Sequence, residues 1–262
     1  MRTWKGYWVF IEAENTILNE DPIIAYIYEK MWRKASELGK TITFPRLLAM
    51  REALIREKRI GPPYSILGTR LLGKDNWTST WREIYKDLKK NYRKKIKTLD
   101  LMIPFLKELK GSYKVRCCLI ARQPRSVTDL VYKMRIKSQF DDLKVNDKVW
   151  LYAPDPDVIN NMMHKLKTLP EQSILITSRG SEYIREMYET GIKIILYKPR
   201  IEAKHWFPKS DNPYGKAYLD SLQRSDLLEI EEEKRSKHIS AILSDSRRMM
   251  FVISKIIGDL DD

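Results

Sequence analysis

The sequence predicts an α/β fold, a doubly wound and mainly parallel sheet with an inserted helical cap and a C-terminal helical extension. Residues 6–12 form a continuous apolar run, which is typical of a strand buried inside a parallel sheet. A long helical stretch follows this strand. From residue 114 onward, short apolar segments alternate with helical ones, which is the pattern of a doubly wound sheet. The helical stretch after the first strand is therefore predicted to be an insertion, the cap.

Hydrophobic spacing places the elements in order along the chain. The predicted cap has helices at residues 22–38, 44–59 and about 78–97. The predicted core strands after the cap are residues 114–121, 148–152, 173–177 and 193–197. The helices that accompany them are predicted at residues 98–110, 125–137, 156–168 and 181–190. The tail is irregular from residue 205 and helical from about residue 215, with an acidic helix and a final apolar helix.

These elements predict three parts of the chain. Residues 1–18 and 101–204 form the α/β core, residues 19–100 form the helical cap, and residues 205–262 form an extension that packs on the core. A chain of 262 residues is long enough for its core to need no disulfide or metal for stability. The composition, 43% hydrophobic and 32% charged, excludes an intrinsically disordered protein.

A strong positive charge indicates a polyanionic partner. The formal net charge is +14, and the sequence pI is near 9.6. Residues 19–100 hold 19 basic and 10 acidic residues, a net charge of +9, whereas residues 201–262 hold 10 basic and 12 acidic residues, a net charge of −2. We therefore expect the surface that binds this partner to lie in the first two hundred residues.

Two adjacent cysteines, Cys117 and Cys118, lie in an apolar segment and are predicted to be buried thiols in a reducing compartment.

No apolar run approaches the ~20 residues that span a bilayer, and the N-terminus lacks the apolar region of a signal peptide. We therefore expect a cytoplasmic protein with no membrane partner. Glutamine is scarce while Lys, Arg, Glu, Ile and Tyr are plentiful, which favours a thermophilic source such as an archaeon.

Three segments carry a resemblance to a known family. The first is the strand and turn at residues 9–18 (VFIEAENTIL), the second is residues 153–156 (APDP), and the third is the strand, helix and strand at residues 174–195. Together they resemble the haloacid dehalogenase-like hydrolase superfamily, whose members can carry a helical cap after the first strand. The resemblance covers roughly residues 6–199.

The resemblance implies phosphoryl-transfer chemistry at the ends of the strands. In the family, an aspartate at the end of the first strand attacks phosphorus, and a second aspartate two residues later protonates the leaving group. A Ser or Thr and a Lys hold the phosphoryl oxygens, and further aspartates bind Mg²⁺. The corresponding positions here are Glu12 for the nucleophile, Glu14 for the acid, Thr16 in the same turn, Ala121 for the Ser or Thr, Ala153 for the Lys, Ser178 with Thr177 for the metal loop, and Tyr183 for the later aspartate.

These positions have changed together, so the resemblance implies that catalysis is lost. Glu in place of Asp moves the carboxylate by about one methylene, and a misplacement near 1 Å costs on the order of 100-fold in rate. Ala121 and Ala153 cannot donate a hydrogen bond from their side chains. Because the phosphate donors and the metal ligands have changed as well, we expect a catalytically inactive protein that holds no metal and no cofactor.

Three arginines are expected near the carboxyl ends of the strands, close to Glu12 and Glu14. They are Arg122, Arg125 and Arg179. In one interpretation, Glu12 or Glu14 forms an ion pair with Arg122 where metal and phosphate sit in the family. In the other, the arginines bind an anionic ligand such as a backbone phosphate.

The helix predicted near residues 81–97 carries a row of cations opposite its apolar face. We call this row the cationic stripe; it consists of Arg82, Lys86, Lys90, Arg93 and Lys97. Such a row matches phosphates spaced along a nucleic-acid backbone. The alternative is an ordinary solvated face, although a purely solubilising face usually mixes both signs of charge. Weaker candidates for phosphate contacts lie in an earlier cap helix, at Arg51, Arg56, Lys58 and Arg59, and weaker candidates for stacking on bases are Trp4, Trp77 and Trp206.

From these features we expect a protein that binds structured RNA or a ribonucleoprotein, including the ribosome, through its basic cap. One alternative is a protein-interaction scaffold that binds a partner protein through the C-terminal extension. Another is a residual Mg²⁺-dependent phosphatase that acts on a nucleotide or a nucleic-acid end. The three histidines have no Cys or carboxylate partners at metal-ligand spacing, so no zinc site is indicated.

Overall fold

Two units make up the chain in the computed structural model. The structure describes residues 6–57, 62–95, 97–99, 102–111, 115–121, 137–145, 156–199, 213–234 and 237–261. The first unit, the core, comprises Met1–Asn19, Thr98–Arg200 and Ile230–Asp262. The second unit, the cap, comprises Glu20–Lys97 and Ile201–Glu229. The predicted extension of residues 205–262 is thereby divided, its first part grouped with the cap and its last part with the core.

Four consecutive helices follow β2, and in the described residues after them strands and helices mostly alternate. The strands are β1 (Tyr7–Glu12), β2 (Leu18–Asn19), β3 (Lys97–Thr98), β4 (Val115–Ala121), β5 (Asp142–Val145), β6 (Ser173–Thr177), β7 (Lys193–Tyr197) and β8 (Ala241–Leu243). The helices are α1 (Asp21–Glu37), α2 (Phe44–Arg56), α3 (Pro63–Leu72), α4 (Lys74–Lys95), α5 (Met102–Gly111), α6 (Pro156–Leu166), α7 (Ser181–Tyr188), α8 (Pro213–Glu233) and α9 (Met249–Asp261). Short 3₁₀ helices lie at Lys137–Gln139, Pro170–Gln172 and Ser246–Arg248.

A six-stranded sheet with the order β5-β4-β1-β6-β7-β8 organises the core. Each described pair in it is parallel, and β1 lies between β4 and β6, with Trp8 opposite both Arg116 and Ser173. All six residues of β1 are buried, as the apolar run predicts for a strand with neighbours on both sides. The predicted doubly wound, mainly parallel α/β fold is confirmed.

Two strands of this sheet differ from the prediction, and the short strands β2 and β3 outside it were not predicted. The strand β5 at Asp142–Val145 precedes the predicted segment 148–152, which lies outside the described residues together with most of the predicted helix 125–137. The strand β8 was not predicted, because three residues are too few to show a hydrophobic period. It pairs with β7 at the edge of the sheet, where Ser240 N donates to Ile194 O.

The cap helices begin and end at residues suited to those positions. Asp21 and Pro22 open α1, where an acidic side chain suits the positive end of the helix dipole and proline fits the first turn. Thr43 caps α2, since its side chain accepts a hydrogen bond from Arg46 N. The helix α3 ends at Gly73, whose φ of +80° favours glycine.

Helix α8 contacts the other cap helices through buried polar and aromatic side chains. Arg51 of α2 donates from Nη1 to Ser225 Oγ at 3.0 Å and to Ser221 Oγ at 3.3 Å. The ring of Tyr214 lies against Phe44, with their centroids 5.1 Å apart. The first part of the predicted extension is therefore integrated into the cap.

Candidate active site at the carboxyl end of the first strand

A tight turn follows β1 and fixes the residues predicted to lie at the site. Ala13 N donates to Ile120 O of the neighbouring strand at 2.8 Å, and Leu18 N donates to Ala13 O at 2.8 Å. Asn15 has a φ of +56°, a conformation that asparagine tolerates better than most residues. The turn buries the side chains of Glu14 and Thr16.

The carboxylate of Glu12 is held by the loop that follows β6. Its side chain is 1% exposed, and Oε2 accepts a hydrogen bond of 2.6 Å from Thr177 Oγ1. Arg179 Nε lies 3.5 Å from the same oxygen, and Arg179 N donates to Thr177 Oγ1 at 3.1 Å. One threonine hydroxyl thus connects the carboxylate with the backbone of the arginine that lies beside it.

Two further side chains extend the site along the turn. Ser178 Oγ donates to the backbone oxygen of Glu14 at 3.4 Å, so the loop after β6 also contacts the second predicted carboxylate position. Thr16 Oγ1 is buried and has no hydrogen-bond partner among the described residues. Buried polar atoms are nearly always hydrogen-bonded, so this hydroxyl is suited to contact a ligand.

The donor set does not fit the Mg²⁺ site that the family implies. Within the described residues, no group of three or more His, Cys, Asp or Glu side chains could hold a metal ion. The Glu12 oxygen that a cation would take already accepts from Thr177 and lies beside the guanidinium of Arg179. A hard cation at this oxygen would be placed next to a like charge.

The structure brings together only some of the predicted site residues. Ala121 ends β4, and the backbone of Tyr183 lies in α7, although the side chain of Tyr183 is not described. Arg122, Arg125 and Ala153 lie outside the described residues, so the pairing with Arg122 stays a prediction. The described arginine beside Glu12 is Arg179.

Thr177 is the functional side chain to which the sequence assigned no contact. It ends β6, which neighbours β1 in the sheet. Because the carboxyl ends of parallel neighbours meet at one edge, the last residues of two predicted strands can be in contact even though they are far apart in sequence. The sequence alone does not give the order of the strands in the sheet, so the contact between Thr177 and Glu12 could not be predicted from it.

The cationic stripe is placed in part. Arg82, Lys86 and Lys90 are exposed on α4, whereas the side chain of Arg93 is not described. The prediction that Lys97 continues the helical row is wrong, because α4 ends at Lys95 and Lys97 begins β3, which pairs with β2.

Within the cap, one of the two acidic residues that flank the stripe, Asp87, is hydrogen-bonded to neutral side chains, whereas the other, Glu83, is exposed. Asp87 accepts a hydrogen bond from Asn91 Nδ2 at 2.7 Å. Burial, followed by the hydrogen bond to Asp87, raises the pKa of Tyr26 above its usual range. The carboxylate of Asp87 is therefore held by side chains of α1 and α4 next to the cations.

Of the weaker candidates for nucleic-acid contact, Arg51 and Trp77 are wrong, whereas Lys58, Arg59, Trp4 and Trp206 lie outside the described residues. Arg51 is buried, and its guanidinium is hydrogen-bonded inside the cap. Trp77 is only 7% exposed and packs over Gly68, so its ring has no face available for a base. In the described part of the chain, no helix is both long and apolar enough to cross a membrane.

The chain matches the family model of the haloacid dehalogenase-like hydrolases over residues 15–179. No curated protein matches it. Solved structures share its fold. A haloacid dehalogenase-like family hydrolase from Streptococcus pneumoniae superposes with a TM-score of 0.59 at 15% sequence identity, and the alignment covers 94% of this chain and 98% of that protein's chain. A subfamily IA hydrolase of the same superfamily from Geobacter sulfurreducens has a TM-score of 0.57 at 11% identity, and the alignment covers 97% of this chain and 100% of that one.

A haloacid dehalogenase-type phosphatase from Thermococcus onnurineus has a TM-score of 0.53 at 14% identity, and the alignment covers 94% of this chain and 97% of that one. Identities this low show a common fold. The family match confirms the resemblance and corrects one expectation. Because the matched family is one of hydrolases, the expectation that this chain has no enzymatic activity is wrong.

Proposed function

Because the chain belongs to the haloacid dehalogenase-like hydrolase family, we propose that it hydrolyses a phosphate ester at the carboxyl end of β1. The observation that carries the proposal is the buried carboxylate of Glu12, held by Thr177 Oγ1 at 2.6 Å beside Arg179. Ligands of open α/β sheets bind at this edge, and a fixed carboxylate there is a nucleophile in the correct place.

The reaction uses groups of this chain in two steps. The Glu12 carboxylate attacks phosphorus, the ester P–O bond breaks, and the leaving oxygen takes a proton from the carboxyl group of Glu14. Water then attacks the acyl phosphate, its proton returns to Glu14, and inorganic phosphate leaves with Glu12 restored. Thr177 and Arg179 fix the attacking group throughout. Since glutamate places the carboxylate about one methylene further along, we expect slow turnover.

The experiment measures release of p-nitrophenol from p-nitrophenyl phosphate and of phosphate from an RNA oligonucleotide with a terminal phosphate, in EDTA and in MgCl₂. Glu12→Gln keeps the size of the side chain and removes the nucleophile, so it should lower the rate at least about 100-fold. Glu189→Gln, an exposed residue outside the site, is the matched control. Equal release by wild type and Glu12→Gln under all conditions rejects the proposal.

A second candidate function is binding of structured RNA, and the exposed cations of α4 favour it. Arg82, Lys86 and Lys90 follow one another at four-residue spacing on one helix. A row of this kind contacts successive phosphates without reading bases, which suits structured RNA or a ribonucleoprotein such as the ribosome. With both cysteines present as thiols, the proposed location is the cytoplasm.

The test of RNA binding uses fluorescence anisotropy with a labelled RNA hairpin between about 50 and 400 mM salt. The triple variant Arg82→Ala/Lys86→Ala/Lys90→Ala should reduce the slope of log K against log salt by about 2–3. The control Arg46→Ala/Arg56→Ala/Arg70→Ala removes the same charge from exposed positions elsewhere in the cap. Equal slopes for the two triple variants reject the cationic stripe as the RNA-binding surface.

The scaffold function is proposed only as a remaining alternative. It uses the C-terminal extension, and the described side chains of Tyr214, Tyr218 and Ser221 in that segment contact other cap residues. Pull-down of a partner protein that is lost when the exposed Leu227 is changed to Asp supports it.

A further inference from the structure

The positive charge beside Glu12 comes from a side chain of the protein. Arg179 Nε lies 3.5 Å from Glu12 Oε2, and its backbone N–H is fixed by Thr177 Oγ1 at 3.1 Å. We propose that Arg179 binds the phosphoryl group in place of the family's Mg²⁺, so that this site takes a phosphate without a divalent cation. The identity of the ligand rests on the proposed hydrolase function.

The guanidinium has the right chemistry for this role. It is planar, always charged, and presents five N–H donors that match phosphate oxygens in pairs. The side chain of Arg179 is 22% exposed whereas that of Glu12 is 1% exposed, so the arginine presents more of its surface to an incoming anion than the carboxylate does. A carboxylate repels a phosphate dianion, and a cation at 3.5 Å reduces that repulsion.

The remaining groups of the site are donors rather than metal ligands. Thr177 Oγ1 donates to Glu12, and the buried Thr16 Oγ1 has no hydrogen-bond partner among the residues that the structure describes. A hydroxyl in the turn after β1 can donate to a phosphoryl oxygen. The Thr16 hydroxyl and the Arg179 guanidinium are hydrogen-bond donors, which complement a phosphate monoester better than they complement a hexacoordinate cation.

The experiment measures the affinity of the full-length protein for inorganic phosphate by isothermal titration calorimetry, once in EDTA and once in MgCl₂. Wild type should bind with the same Kd in both buffers. Arg179→Met should weaken binding by about 10- to 100-fold, the value of a hydrogen bond to a charged group. Arg179→Lys should bind with intermediate affinity, because lysine keeps the charge and loses the planar donors. Arg185→Met, an exposed arginine on α7, is the matched control and should bind like wild type.

The possible results distinguish a failure of the proposed phosphate site at Arg179 from a failure of the proposed hydrolysis. Phosphate binding that requires MgCl₂ overturns the inference and leaves the hydrolase function standing. Unchanged phosphate affinity of Arg179→Met with a lowered melting temperature overturns it as well, since Arg179 is then only the structural partner of Glu12. Arg179-dependent binding in EDTA without any ester hydrolysis supports the anion site and rejects the hydrolase function.

Discussion

The guanidinium of Arg51 lies over the ring of Tyr218, with Cζ 5.2 Å from the ring centroid. The same guanidinium donates to Ser221 and Ser225, so one side chain of α2 makes three contacts with α8. Burial raises the pKa of Tyr218 well above its usual value, and the phenol therefore stays neutral next to the charge. This contact joins segments of the cap that are 167 to 174 positions apart in sequence.

Arg51→Ala should lower the free energy of unfolding by about 2–4 kcal/mol, because it removes two hydrogen bonds from a charged donor and the packing against Tyr218. Urea unfolding followed by tryptophan fluorescence measures the change. Arg56→Ala, at the exposed end of the same helix, should stay within about 0.5 kcal/mol of wild type. Equal stability of the two variants contradicts a structural role for the buried arginine.

Gly68→Ala should destabilise the cap by about 1–3 kcal/mol through overpacking. A Cβ at Gly68 would lie 2.2 Å from Cδ2 of the buried Trp77 ring, so the ring or the backbone would have to shift. Gly258→Ala is the matched control in α9, where a Cβ meets nothing within 4 Å, and it should stabilise the protein by about 0.5–1 kcal/mol. Thermal denaturation measures the stability of both variants, and a loss of stability in both would contradict the prediction.

Lys167→Gly should stabilise the protein by about 0.5–1 kcal/mol, since Lys167 has a φ of +54° just after α6. Glycine adopts this conformation without the clash of a Cβ. Lys167→Ala keeps the Cβ and is expected to remain near wild type. The midpoint of chemical denaturation distinguishes the two, and equal midpoints for Gly and Ala would show that no backbone strain is relieved.

The thiol of Cys117 should make stability fall at alkaline pH. Burial, followed by the carboxylate of Asp141, raises its pKa to about 12, whereas an unfolded thiol titrates near about 8.5. The unfolded state therefore loses its proton first, and stability that is complete below pH ~8.5 declines as pH rises toward ~12.

Between pH ~8 and ~10, wild type should lose about 1.5–2 kcal/mol more than Cys117→Ala. Urea titrations at the two pH values measure this difference. The comparison removes contributions that both proteins share, including those of Cys118 and the lysines. Identical pH dependence of the two proteins would contradict the buried-thiol interpretation.

The strands β1, β4, β6 and β7 were predictable because each contains three to five consecutive apolar residues. The end of α4 was not, because the spacing of Lys97 continues the helical period and only the pairing of β3 with β2 interrupts it. At the site, the turn that carries Glu12 and Glu14 followed from the family resemblance. The contact with Thr177 depends on strand order and could not be derived from spacing.

Buried charge is the second feature that the sequence concealed. Arg51 sits among acidic and basic residues of an amphipathic helix and was assigned to the surface, yet its partners lie on α8, far along the chain.

The predicted thermophilic source stays a prediction.

The central position of β1 has a consequence for synthesis of the protein on the ribosome. β1 is made first, but its partner β4 begins at Val115, 103 positions after Glu12, and β6 follows later still. At about 5–20 residues per second, the nascent strand waits roughly 5–20 s before either neighbour emerges. During that time this largely apolar, aromatic hexapeptide has no sheet to join, which exposes it to aggregation and makes it a site for chaperone binding.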